Sequence, residues 1–302
     1  MTKSLRPLRK IVPFVIAVAV VLSACGSTPA NNAFSIEGTS YSRTQFDDLA
    51  QALIDSGQFA SADGKVATAD AITILRALIR YDAFVKFIAI NDFAIDEADR
   101  DTLTAQAAAD PEFAKFPQIL RDTLINLNLA DTTLKKFKAP SDSVIEKLYT
   151  ASPASAGTLC LSHILVKTEA EARTVLTDLE NGTAFAEVAA KKSIEPGADK
   201  SGGALKNGDS DCQTLVNLQS SFDPDFMRGA VDAKPGVPTG PIKSAFGYHV
   251  ILSHPYEKVK TSVLAIVKDD PGNNLLAGYL SSADITVNSV YGTWDGALGT
   301  IK

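Results

Sequence analysis

Two short apolar runs, far apart in the chain, each carry one histidine. They are Cys160-Leu161-Ser162-His163-Ile164-Leu165-Val166 and Phe246-Gly247-Tyr248-His249-Val250-Ile251. Val, Ile and Leu alternate with Ser and His, as a half-buried strand requires. If the two strands pair in one sheet, the histidines meet. Between them lie two short helical patterns, a glycine-rich turn at Ser201-Gly202-Gly203 and a segment with Phe222 and Phe226. A chain with this stretch at its centre is expected to be α+β there. By themselves these residues leave the bland reading open. A single strand histidine is ordinarily a packed core residue, and Phe222 and Phe226, spaced i, i+4 on a helix, are ordinarily core.

In order and spacing, Ser162-His163-Ile164-Leu165-Val166, Gly202-Gly203-Ala204-Leu205, Asp225-Phe226 with Ala230, Gly236, Gly240-Pro241-Ile242 and Phe246-Gly247-Tyr248-His249-Val250-Ile251 resemble a parvulin-type peptidyl-prolyl isomerase domain. The resemblance covers about a third of the chain, residues 157–256. It implies a small antiparallel sheet with surrounding helices and a cofactor-free isomerase acting on X–Pro bonds. It assigns His163 and His249 to a paired centre. Leu205 becomes the floor of a proline slot, with Phe222, Phe226 and Phe246 around it. Many members have Met at the position of Phe222. Where the family has Asp, or Cys in one branch, Ser193-Ile194-Glu195 aligns Glu195. The extra methylene moves that carboxylate by over ~1 Å, enough to change a rate. A solvated loop acid is the other reading of Glu195. His254-Pro255, beyond the second strand, reads as surface.

The first residues point to export. Lys3, Arg6, Arg9 and Lys10 precede an uncharged run over residues 11–22. As a helix that run would span roughly 18 Å, short of a ~30 Å bilayer core. Residues 1–24 read as a signal peptide. Leu22-Ser23-Ala24-Cys25 resembles a bacterial lipobox, which implies cleavage before Cys25, acylation of Cys25 and a lipid anchor on the extracytoplasmic face of the cell membrane. A plain secretory signal with an incidental cysteine is the alternative. Residues 25–33 are small and polar, a tether. Removing residues 1–24 takes four positive charges and no negative ones, so the formal charge falls from −6 to −10. With no basic stripe, nucleic acid is not an expected partner. Export allows Cys160 and Cys212 to pair as a disulfide; two buried thiols are the alternative.

Residues 34–150 read as a mostly helical block after a short Phe34-to-Ser42 strand or hairpin. Residues 69–92 give the strongest helix, with Ile72, Leu75, Leu78, Ile79, Phe84, Val85 and Ile88 spaced by three and four. This block resembles the N-terminal chaperone region of foldases of the SurA and PrsA kind, and its clients would be unfolded or partly folded exported polypeptides. Residues 151–157 are rich in Ser, Ala, Pro and Gly and read as a linker. Residues 257–302 are too few to bury a core alone and are expected to return to the N-terminal block. In that tail, residues 259–267 fit strand or helix, and residues 283–288 alternate like a strand.

The sequence holds no metal-ligand spacing, no phosphate loop and only Lys167 and Arg173 near the first strand, so no clamp for phosphorylated substrates is expected. A solute-binding lipoprotein would need the alternating strand–helix pattern of two α/β lobes, which is missing. Two functions remain: a prolyl isomerase and foldase for exported chains, or a holdase whose isomerase domain keeps its groove and little activity.

Overall fold

The computed structural model describes residues 31–302; the expected signal segment, Cys25 and residues 26–30 of the tether lie outside the described residues. The N-terminal elements are β1 (Asn32–Ile36), β2 (Thr39–Ser42), α1 (Arg43–Asp55), β3 (Ser61–Ala62), β4 (Lys65–Val66), α2 (Thr68–Ile90), α3 (Glu97–Ala108), α4 (Gln118–Lys136) and α5 (Asp142–Ala151). The central stretch forms β5 (Thr158–Leu159), β6 (Leu161–Val166), α6 (Glu169–Glu180), α7 (Phe185–Lys192), α8 (Ala198–Ser201), β7 (Gln213–Thr214), α9 (Leu215–Ser221), α10 (Pro224–Asp232), β8 (Thr239–Ser244) and β9 (Gly247–Ser253). The tail adds α11 (Tyr256–Asp269), α12 (Pro271–Ser282), β10 (Ile285–Val287), β11 (Trp294–Asp295) and β12 (Thr300–Ile301). The fold is helix-rich α+β with small antiparallel sheets.

Local chemistry sets the helix ends. Ser42 and Gln45 form a reciprocal capping box at α1, and Thr168 and Glu171 form another at α6, each satisfying two orphan N–H groups. α2 buries Ala71, Ile74, Leu75, Leu78, Ile79, Ala83, Phe84, Phe87 and Ile88. Val85, expected on that face, is exposed. At 100° per residue it is rotated off the arc defined by Phe84 and Ile88.

The tail returns to the N-terminus. β10 pairs antiparallel with β1, Phe34 opposite Val287 and Ile36 opposite Ile285. Residues 256–269 are helical, with Val259, Val263 and Val267 buried at i, i+4 and i+8. α12 sits against α2 and α4. One apolar core contains α2 together with Tyr256, Val263, Leu276 and Val287.

The stretch read as a linker is instead packed structure. Residues Pro153–Ala156 form a buried 3₁₀ turn against α12. A Cβ on Gly278 would lie 2.4 Å from the Ser155 carbonyl oxygen, so the small residues serve a close backbone approach.

In the central stretch the strand order is β6-β9-β8, all antiparallel. β6 is buried along its whole length. Its two faces alternate. Ile164 and Val166, with Val250 of β9, pack on α6 and α7 through Ala172, Val175, Val188 and Ala189. Leu161 and Ile251 face the other way, into a cluster with Leu215, Leu218, Phe226 and Met227 from α9 and α10. Leu205 and Phe222 are partly buried at that cluster's edge.

Candidate active site

Register brings the histidines together. His163 pairs with Ile251 and Leu165 with His249, so both rings leave the same face of the sheet, two residues apart along it. Their Nδ1 atoms are 3.2 Å apart, and the rings lie nearly parallel with centroids 5.5 Å apart. Each residue is only 4% exposed.

The glycine turn supports the first histidine. Gly203 accepts the His163 N–H at 2.8 Å, and the Leu205 N–H donates to Leu161 at 2.9 Å. Residues 203–205 thus line the edge of β6 that β9 leaves free. A Cβ on Gly203, whose φ is +81°, would lie 2.4 Å from the His163 carbonyl oxygen. Only glycine lets the two backbones approach so closely.

α10 supplies the aromatic wall. Asp223 caps it, its Oδ1 accepting from the N–H groups of Asp225 at 2.9 Å and Phe226 at 3.3 Å, with Pro224 in the first turn. Phe226, 1% exposed, stands nearly perpendicular to both imidazoles, its centroid 5.6 Å from that of His163 and 5.1 Å from that of His249. Phe222 stacks on Phe226 at 5.0 Å. Solvent reaches this cluster at the half-exposed Phe222 and Leu205.

Two polar partners escaped the sequence reading. Ser244 Oγ lies 2.7 Å from His249 Nε2 and also accepts the Phe246 N–H at 3.1 Å. Asp223 Oδ2 accepts the Ala245 N–H at 3.4 Å, tying the start of α10 to the β8–β9 turn. The signal for Ser244 is its place five residues before His249 across a tight hairpin, where a strand hydroxyl can turn back to the ring.

Electrostatics keep both rings neutral near pH 7. Burial, and then the neighbouring His249, lower the His163 pKa to about 4. Burial also lowers that of His249, with the Asp223 carboxylate working against it. With both rings neutral, one Nδ1 must donate and the other accept. If His249 donates, the Ser244 hydroxyl gives its proton to His249 Nε2. If His163 donates, His249 Nε2–H gives to Ser244. The chain Ser244–His249–His163 is satisfied either way round.

The remaining expected residues fall outside this cluster. Glu195 is half-buried in the loop after α7. That loop is stitched to β6: Ile194 N–H donates to the Leu165 carbonyl at 2.8 Å, while Ser193 Oγ accepts from Leu165 and Glu195. Among the described residues, the Glu195 carboxylate makes no hydrogen bond or ion pair with either histidine. Phe246, expected beside the site, is 70% exposed at the β8–β9 turn, and its ring does not join the Phe226 stack. The hairpin is too tight to fold that ring back. His254, expected on the surface, is half-buried instead. Its Nε2 lies 3.0 Å from Ser162 Oγ, and its carbonyl accepts the Tyr149 hydroxyl at 2.9 Å. Cys160 and Cys212 are joined by a disulfide, both sulfurs buried. Among the described residues no group of three or more His, Cys, Asp or Glu is arranged to hold a metal ion. A cavity of about 450 Å³ bordered by Arg43, Phe46, Lys65 and Tyr291 lies between the helical block and the tail and touches none of these side chains.

Residues 163–254 match the family model described as Rotamase, the PPIC-type PPIASE domain. The chain is 33% identical over 181 residues to the foldase protein PrsA of Clostridium kluyveri, covering 58% of this chain and 51% of that one. A PrsA of Clostridium botulinum (strain 657 / Type Ba4) is 27% identical over 226 residues, 67% of this chain and 63% of the relative. Against the crystal structure of PrsA from Bacillus subtilis the identity is 18%, covering 80% of this chain and 88% of that chain, with a TM-score of 0.30. The chain spans about half the length of the first curated relatives it matches. Residues 163–254 are therefore a PPIC-type rotamase domain, in a chain homologous to PrsA foldases.

Proposed function

We propose that this protein is a peptidyl-prolyl cis–trans isomerase and foldase for exported polypeptides, held at the outer face of the cell membrane by lipid on Cys25. The observation that carries the isomerase reading is the 3.2 Å contact between His163 and His249 with Phe226 packed perpendicular to both rings. Rotation about an X–Pro bond must give up amide resonance, at roughly 18–20 kcal/mol. Twisting takes charge off the carbonyl oxygen. A dry wall of uncharged imidazoles and a phenyl ring solvates the polar planar amide poorly and the less polar twisted one comparatively well. That difference is what lowers a barrier. The apolar rim at Leu205 and Phe222 fits a proline ring.

An isomerase assay on a series of short X–Pro peptides tests this. Phe226→Ala and His249→Ala should each cut kcat/KM while the helical block stays folded. Wild-type protein with no activity on any peptide of the series would refute the reading. The anchor has its own test. Cys25→Ser should leave the membrane fraction or keep its signal uncleaved; normal processing and retention would refute a lipid tether.

A second reading, a peptide-binding holdase with a weak catalytic centre, is favoured by Glu195, whose carboxylate engages neither histidine. It expects suppression of client aggregation that survives Phe226→Ala.

A further inference from the structure

The last ten residues form a strap across the back of the helix that carries Phe226. β11 and β12 pair, and the hairpin closes where Thr293 and Lys302 exchange backbone hydrogen bonds at 2.9 and 3.0 Å. The strap rests on three elements. A Cβ on Gly296 would lie 2.5 Å from the Ser281 carbonyl oxygen of α12. From α9, Gln219 Nε2 donates to the Ala297 carbonyl at 3.1 Å. Leu298 packs on the cluster that contains Phe226, while Trp294 packs on the helical core.

The third support is ionic. The Asp295 side chain is only 5% exposed, and its Oδ2 receives Arg228 Nε at 2.7 Å and Lys302 Nζ at 3.1 Å. Arg228 lies two residues after Phe226 on α10. Two residues turn a helix by about 200°, so Arg228 points to the strap while Phe226 points to the histidines. Gly229 leaves no room on the sheet side, since a Cβ there would meet Ile242 of β8 at 2.2 Å. α10 is therefore gripped between β8 and the strap, and a buried carboxylate that loses its cation is costly.

We infer that Asp295 is a positioning residue for the histidine–phenylalanine centre. Its pair with Arg228 fixes the rotation and depth of α10, and with them the position of the Phe226 ring against His163 and His249. The site thereby answers to how the C-terminal hairpin sits on the helical block. The inference rests on the isomerase reading for its consequence, not for its geometry.

Asp295→Asn keeps the side chain's shape and removes its charge. In the full mature protein it should lower kcat/KM on an X–Pro peptide about tenfold, the scale on which small misplacements act. The emission of Trp294, the chain's single tryptophan, should shift as the strap loosens. The imidazole ¹⁵N resonances of His163 and His249 should move with it. Arg228→Gln should behave alike, and Arg228→Lys, which keeps the cation, should recover part of the rate; this pair decides the matter if Asp295→Asn does not fold. Folded variants with wild-type kcat/KM and wild-type imidazole resonances would overturn the inference, leaving Asp295 as structural glue. If wild type shows no isomerase activity, the proposed function falls, and the imidazole resonances alone then decide whether Asp295 positions the centre.

Discussion

Ser244 Oγ stands 2.7 Å from His249 Nε2, at one end of a hydrogen-bond chain that passes through His249 to His163. Removing that hydroxyl leaves a buried ring nitrogen without a partner, at a cost of about 1–3 kcal/mol. Ser244→Ala should lower the unfolding free energy by that amount. It should also lower kcat/KM by about tenfold, because His249 is then free to rotate. Ser244→Thr keeps the hydroxyl and should restore most of both. Urea unfolding and the peptide assay measure the two effects, and an unchanged Ser244→Ala would show that His249 is held by packing alone.

Stability should fall as the solution is acidified, in a window set by His163. In the unfolded chain an imidazole takes up its proton near pH 6.5; in the folded protein His163 refuses it until about pH 4. Between those values the unfolded state binds more protons, so stability drops as pH falls, and it is fully present above pH 6.5. For His163 the loss is on the order of 3 kcal/mol. His249, also lowered by burial, acts in the same direction. Unfolding midpoints for wild type and His163→Gln at pH 7.5, 5.5 and 4.5 isolate this term from the carboxylates. Parallel pH profiles for the two proteins would contradict it.

The Cys160–Cys212 bond closes a sequence separation of 52 residues. In the chain-entropy account a loop of that size is worth about 4 kcal/mol. Both partners sit in the apolar core shared by the helical block and the tail, Cys160 one residue before β6 and Cys212 one residue before β7. The Cys160→Ser, Cys212→Ser double variant should lose about that much stability and become sensitive to proteolysis in the loop before β7. Thiol labelling of the unfolded, unreduced protein should find neither sulfur free.

The meeting of His163 and His249 is legible in the sequence because strand alternation is local: apolar and polar residues take turns at both ends, and the glycine pair between them marks a turn. The packing of the tail is legible only in outline. Residues 271–274, Pro-Gly-Asn-Asn, open α12 although proline and glycine ordinarily mark turns. Asp270 caps it, and Gly272 lies where a Cβ would be 2.2 Å from the Leu134 carbonyl oxygen. Glycine, alanine and serine here serve close contact between helices, and composition cannot distinguish that from a loop. The same ambiguity hides the turn at residues 153–156. Ser244 and Asp223 are invisible for another reason. Each acts on a residue brought near by a hairpin or a helix start, and neither type is rare on a surface.

Glu195 offers the sharpest separation of enzyme from holdase. Its backbone is registered against β6 through Ser193 and Leu165, and Leu165 shares a sheet face with His163. The loop is thus held near the centre while the carboxylate has no partner there. Shortening the side chain by one methylene retracts the charge by over ~1 Å, a distance that matters only if the carboxylate reaches a bound peptide. Glu195→Asp should therefore hold or raise kcat/KM, and Glu195→Gln should lower it if the charge contributes at all. Neither should alter stability by more than about 0.5 kcal/mol, as for a surface side chain without special contacts. Chaperoning of a proline-free client should be unchanged in both. If wild type is inactive and Glu195→Asp gains nothing, the groove binds without catalysing, and the holdase reading stands in place of the enzyme.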